Sequence, residues 1–248
     1  MKGFDCNTKL TYEKALQMKN SGYEFAIRYV GRLQQASYDI DKTEAENILR
    51  AGLKLAIVQH CLNPGWVPTR DLGTTYGKNA ALFSKQSGIE LKTSVYLDLE
   101  GVKAGTSKAN IIVFCNAWYD EVLAGGYTPG IYVGFDAFLT GDELYTKLKF
   151  QHYWKSFSAV PDVAKRGYEM IQKVETTVNG IKIDIDEATG DRLGNRPVFM
   201  GSTKEPILDA IEKLSNTGVI TDKVKWTQKA AKDADIHWLI IKAANHIV

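Results

Sequence analysis

The chain has 248 residues with 31 Lys and Arg against 29 Asp and Glu, a formal net charge of +2, and is 44% hydrophobic and 24% charged, an ordinary globular composition. A balance this even, without a basic block, excludes the electrostatic footprint of a nucleic-acid binder and gives little attraction to acidic membranes. No apolar run approaches the roughly 18 residues needed to span a bilayer, and the length admits either a single α/β barrel or a barrel with a small added module.

Apolar periodicity alternates between short strand-like runs and longer helical patterns. In chain order, strands are expected at 2–6, 24–30, 54–59, 93–99, 130–133, 150–154, 169–173 and 181–185. Helical segments fall between them at 11–20, 42–51, 71–87, 107–124 and 136–148, with a short irregular piece at 161–166. Thr11 and Thr43 read as helix openers, while Gly22, Gly52, Gly88 and the Gly125-Gly126 pair follow helix ends. Repeated strand-helix alternation predicts a parallel sheet, and eight strands fit a closed (β/α)8 TIM-like barrel better than an open sheet.

After about residue 200 the strand signal stops. Residues 191–203, with Gly194, Pro197 and Gly201, read as a linker, and helices are expected at 206–216, 224–232 and 235–247. The expected division is therefore a barrel over residues 1–195 and a small all-α module over 202–248. The tail carries seven Lys against six acidic residues, so it is not a basic arm. Cys6, Cys61 and Cys115 are widely spaced, without a CxxC pair or a Cys/His cluster, so neither a disulfide framework nor a structural zinc site is expected. No phosphate loop or nucleophile elbow occurs, and no cofactor or metal is expected.

Barrel enzymes of this kind gather their chemistry at the C-terminal ends of the strands. The residues ending the expected strands are Asp5, Arg28, Gln59, Asp98 with Glu100, Tyr132, Trp154, Gln172, and Asp184 with Asp186. The sharpest run is Ser94-Val95-Tyr96-Leu97-Asp98-Leu99-Glu100, in which strand alternation puts Tyr96, Asp98 and Glu100 on one face. Two carboxylates spaced about 6 to 7 Å apart at their α-carbons repel each other, which raises one pKa toward the range a general acid needs. Such a pair is either catalytic or a solvated pair balanced by Arg28, which is expected to reach a carboxylate at the mouth. Asp5 either tunes Glu100 or caps the turn that follows it. Tyr96, Tyr132, Trp154, Gln59 and Gln172 suit a sugar ligand through ring stacking and amide hydrogen bonds, with core packing as the alternative.

The runs Gly3-Phe4-Asp5, Phe25-Ala26-Ile27-Arg28-Tyr29-Val30-Gly31, Ala51-Gly52-Leu53, Tyr96-Leu97-Asp98-Leu99-Glu100, Gly130-Ile131-Tyr132 and Ile171-Gln172 resemble a glycoside-hydrolase-like domain of unknown function related to the family 25 lysozymes. The resemblance covers roughly residues 1–195. It implies Glu100 as general acid, Asp98 as the partner that stabilises the reacting sugar, Asp5 as a third mouth carboxylate and Asp184 as the last-strand acid. It implies peptidoglycan as substrate, cleaved at the β-1,4 bond between N-acetylmuramic acid and N-acetylglucosamine. A non-catalytic wall-binding barrel or a phage- or spore-associated structural protein are the rival readings. The tail resembles helical repeats appended to wall-active proteins, which implies a role in binding the wall or another protein. The opening Met1-Lys2-Gly3-Phe4-Asp5 has no apolar signal region, so the expectation is synthesis in the cytoplasm followed by release through lysis or non-classical export.

Overall fold

The structure, a computed structural model, describes residues 1–201 and 206–246. Eight strands close into a barrel in sequence order: β1 (Lys2–Asp5), β2 (Phe25–Val30), β3 (Lys54–Gln59), β4 (Ser94–Leu99), β5 (Thr128–Val133), β6 (His152–Lys155), β7 (Met170–Val178) and β8 (Ile181–Ala188). Five helices cover its outside: α1 (Tyr12–Asn20), α2 (Lys42–Arg50), α3 (Arg70–Gln86), α4 (Lys108–Ala124) and α5 (Gly141–Lys147). The α/β barrel expected from the sequence is thus present. Thr11 caps α1 as expected, but α2 is capped two residues before Thr43, by Asp41, whose side chain accepts from the Glu44 amide.

The last quarter of the barrel departs from the expected alternation. β1 to β7 pair in parallel, whereas β8 runs antiparallel to both β7 and β1. The turn Asn179-Gly180, with φ of 51° and 74°, joins β7 to β8 as a two-residue hairpin, the geometry that both residue types tolerate at positive φ. A hairpin forces reversal, so no crossover helix is needed. The hairpin leans on α1, where the Asn179 amide donates to Gln17 O and Ser21 Oγ, and Ile181 and Ile183 join the layer between sheet and helices.

Alternation divides each strand between two cores. Outward residues such as Phe4, Leu55, Val95, Leu97 and Ile131 pack under the helices, while Phe25, Ile27, Ala56, Val58, Tyr96, Trp154 and Met170 fill the barrel itself. The floor is closed from outside the strands. Residues 196–200, read above as part of a linker, lie against the barrel bottom: Met200 pairs with Leu55, Val198 exchanges hydrogen bonds with Ser94, and Phe199 packs on Phe25 with ring centroids 4.5 Å apart. The remainder of that segment, residues 202 and 203, lies outside the described residues.

Three helices follow, α6 (Pro206–Asn216), α7 (Lys223–Lys232) and α8 (Ala234–Asn245); Ile247, the expected end of the last, is outside the described residues. They bury a cluster of their own, including Ile211, Leu214, Ile220 and Ile240, with Trp226 packed against it. Lys242 of α8 forms an ion pair with Glu46 of α2.

Phe199→Ala should lower stability by about 3–5 kcal/mol, the range for truncating a buried aromatic. Chemical denaturation of the barrel measures it, and a loss below about 1 kcal/mol would show that Phe199 does not seal the floor.

Candidate functional site

The acids gather at the end of the barrel where β1 to β7 terminate. Asp5 ends β1 and its two oxygens are held separately: Tyr29 Oη donates to Oδ1 at 2.6 Å and Gln172 Nε2 to Oδ2 at 3.0 Å. Gln172 Oε1 in turn accepts from Tyr132 Oη at 2.9 Å, so one chain of hydrogen bonds runs across the mouth from β2 through β1 and β7 to β5. Because β8 is antiparallel, its start rather than its end lies at this mouth. Asp184 stands opposite Asp5 and is half-buried, while Asp186 pairs with Gly3 and Gln172 one layer deeper. Asp186 is fully buried and accepts from Trp154 Nε1 at 3.0 Å.

Asp98 and Glu100 point to the same interior, as the spacing predicted. Asp98 is 7% exposed and Glu100 half-buried beyond it. Gly134, directly after the neighbouring β5, leaves the room Glu100 occupies: a Cβ there would lie 2.5 Å from Glu100 Oε2. Trp66 Nε1 donates to Glu100 O at 2.8 Å and fixes the strand end.

Burial raises these carboxyls. It lifts Asp5 from 3.8 to about 6, opposed by the hydrogen bonds from Tyr29 and Gln172. Burial and then the charge of Glu100 hold Asp98 well above the usual range, and burial raises Glu100 itself, with Arg32 pulling both back. Asp186 is raised by burial and by Asp5, and half-buried Asp184 by burial and Glu175.

The strand phase overturns two expected site residues. Arg28 alternates with the inward Ile27 and Tyr29, so it faces the helices. It is fully buried there, with Nε donating to Glu44 Oε1 at 2.6 Å and further bonds to the carbonyls of Cys6 and Tyr38. No mouth carboxylate is its partner. Gln59 also faces outward, donating to Gly31 O and Tyr76 O and accepting from Trp118 Nε1 at 2.7 Å. Both are scaffold. Tyr96 and Trp154 do face inward but lie below the mouth, Tyr96 Oη donating to the fully buried Glu169 at 2.7 Å. They are core rather than an open stacking surface. Tyr132 and Gln172 remain at the mouth, bonded to each other. The helix expected at 71–87 is α3, which begins at Arg70.

Several further groups stand at the mouth, of which His60, next to Gln59 at the end of β3, is legible in the sequence while Arg32 and Cys61 are not. Arg32, in the loop after β2, is almost fully buried: Nε donates to His60 O, Nη2 to Asp98 O at 2.9 Å, and its guanidinium lies over the rings of Trp66 and Tyr76. His60 Nε2 meets buried Asp39 at 2.7 Å and stacks on Tyr29. Cys61 lies beside Asp98 and Glu100, with one ligand atom from each of the three within 4.8 Å of the others. Exposed aromatic residues come from three loops around these acids. Tyr38 is 53% exposed with its edge on His60, Phe157 is 72% exposed with its amide donating to Gln172 Oε1 at 3.4 Å, and Phe135, whose carbonyl accepts from Gly101 beside Glu100, is also exposed. Their wide sequence separation hid the set, since only barrel closure brings it together. A cleft of about 250 Å³ lined by Lys155, Asp162, Tyr168 and Arg192 lies by the loop between β6 and β7, apart from the acids.

A barrel with carboxylates on its strand ends is the arrangement of a glycoside hydrolase-like protein. The comparisons make this particular: residues 16–190 match the model of the Rv2525c-like, glycoside hydrolase-like domain, and the chain belongs to that family. No curated protein sequence matches it. Among solved structures it resembles the Tat-secreted protein Rv2525c of Mycobacterium tuberculosis, at TM-score 0.59 and 13% identity, over 79% of this chain and 98% of that one. It also resembles the lysozyme of Streptomyces coelicolor, at TM-score 0.51 and 15% identity over 77% and 92% of the two chains. The catalytic domain of endolysin ply40 from bacteriophage P40 of Listeria monocytogenes is similar at TM-score 0.55 and 16% identity, over 76% and 93%. Identities this low speak for the shared fold.

Between 3.8 and about 6, unfolding lets Asp5 ionise whereas the folded protein keeps its proton, so the folded state binds more protons and stability falls as pH rises through that window. Thermal midpoints measured across it should decline in the wild type and decline less in Asp5→Asn. Equal slopes would show that Asp5 is not held protonated.

Proposed function

We propose that the protein is a peptidoglycan glycosidase of the muramidase type, hydrolysing β-1,4 bonds in the bacterial cell wall, with Glu100 as general acid and Asp98 as its partner. The observation that carries this is the pair itself: two carboxyls with an oxygen of each within 4.8 Å of the other, both raised, the inner one enclosed and the outer one open to the mouth. A carboxyl that keeps its proton near neutral pH can give it to a leaving glycosidic oxygen. Its neighbour then meets the developing positive charge of the sugar. Asp5, tied to Tyr29 and Gln172, sits as a third acid that keeps the floor of the mouth polar, with Asp184 beside it.

The exposed rings of Tyr38, Phe135 and Phe157 supply the flat apolar surfaces that pyranose faces stack on, in place of the buried Tyr96 and Trp154. The tail helices, with their own small core, would serve as a separate unit that holds the wall or a protein partner. The work would be done outside the cell or at its wall. The rival reading is a wall-binding barrel without turnover, to which a cleft of about 250 Å³ apart from the acids offers a further place for a ligand.

Reducing-end release from purified peptidoglycan separates the two. Wild type should release ends, with Glu100→Gln slower by about 10²–10⁴-fold, the usual contribution of a general acid. Release no greater than that of the Asp98→Asn, Glu100→Gln double variant, with undiminished pelleting on cell walls, would sink the enzyme reading. Phe157→Ala should weaken wall pelleting without changing the thermal midpoint by more than a degree or two, since an exposed ring contributes little to stability. Unchanged pelleting would remove Phe157 from the sugar-binding surface.

A further inference from the structure

Cys61 is absorbed by neither the fold nor the proposed reaction. It follows β3, while Asp98 and Glu100 come from the adjacent β4, and the closed sheet sets the three side by side. Among the described residues they are the only group of three Cys, His, Asp or Glu whose ligand atoms converge to within 4.8 Å. A second, separate fact concerns the same cluster. Asp98 Oδ1 is buried and has no hydrogen-bond partner among the described residues. A buried carboxylate oxygen is costly to leave unmatched.

We propose that Cys61, Asp98 and Glu100 form a binding site for a soft or borderline divalent cation, with zinc the best match, and that occupation of the site withdraws both carboxylates from hydrolysis. The inhibitory half rests on the hydrolytic reading above; the binding half does not. A thiolate beside two carboxylates is a poor set for magnesium or calcium, which prefer oxygen alone, and a suitable one for zinc. Three protein ligands leave the fourth tetrahedral position for water, as in zinc sites that stay open. Tetrahedral bonds of about 2.0–2.3 Å place ligand atoms roughly 3.5 Å apart, so side-chain adjustment of about an ångström closes the present spread.

Charge also balances. Three anionic donors carry −3, the cation supplies +2, and the guanidinium of Arg32 supplies the remaining +1. Arg32 is held where it is by His60 O, Asp98 O and the rings of Trp66 and Tyr76. Metal ligands must be deprotonated, so any proton on these three groups leaves as the cation binds, with no change of oxidation state.

The full-length chain, stripped of metal with a chelator, is titrated with Zn²⁺ by calorimetry and with Cd²⁺ by ultraviolet absorption, where a thiolate-to-cadmium charge-transfer band reports the sulfur ligand directly. The expected result is one cation per chain with that band present. Cys61→Ser should lose the band and bind Zn²⁺ about 10- to 100-fold or more weakly, since even outer-shell losses cost that much. Glu100→Gln, at the half-open mouth, should keep the band and weaken affinity. A wild type that binds no Zn²⁺, or a band that survives in Cys61→Ser, overturns the site. Where the wild type releases reducing ends, Zn²⁺ should suppress release and chelator restore it; undiminished release with the site filled overturns the inhibitory half. Zinc binding by a protein that releases no ends supports the site while refuting the glycosidase.

Discussion

The structure depends on what an apolar barrel does to a charge. An ionised carboxylate deep in a packed interior is far more expensive than one that is hydrogen-bonded or protonated. The lower interior is therefore made of Phe25, Ile27, Met170 and Phe199, and acids enter only where partners are at hand. Asp186 meets Trp154, Glu169 meets Tyr96 and His152, and Asp5 meets Tyr29 and Gln172. Asp98 and Asp186 each keep one buried oxygen without a hydrogen-bond partner among the described residues, and Asp98 lies at the centre of the candidate site. Its burial, and then the charge of Glu100, raises its pKa.

The polar frame around that centre has two parts with different duties. The inner part consists of mouth groups that face one another across the barrel. The outer part is the Arg28–Glu44 pair and the amide of Gln59, which bind sheet to helices where nothing from solvent reaches. Removing one member of such a buried pair leaves an uncompensated charge. The two parts use the same residue types, so chemistry alone does not tell them apart. Their strand phase does.

Phase was in fact readable. In Phe25-Ala26-Ile27-Arg28-Tyr29-Val30 the inward set is Phe25, Ile27 and Tyr29, and a strict count would have sent Arg28 outward from the start. An arginine in an apolar run needs a carboxylate, but the period of the strand decides on which side of the sheet it finds one. In Asp98-Leu99-Glu100 the same period puts both carboxyls on the inner face. For the last strand, parity placed Asp184 and Asp186 together, but direction was needed to know which stood at the mouth. Asn179-Gly180 was the local signal for that reversal.

The sequence by itself determined the elements: eight strands, the helices between the first six, the three tail helices, and the shared face of Asp98 and Glu100. These follow from short-range rules, period two in strands and 3.6 in helices, that act within a few residues. Only the tertiary structure decided that Phe199 closes the floor, that Arg32 and Cys61 join the acids, and that Tyr38, Phe135 and Phe157 surround them. Those residues sit in loops, where no period constrains direction, and they meet only because closing the sheet brings the ends of distant strands to one mouth.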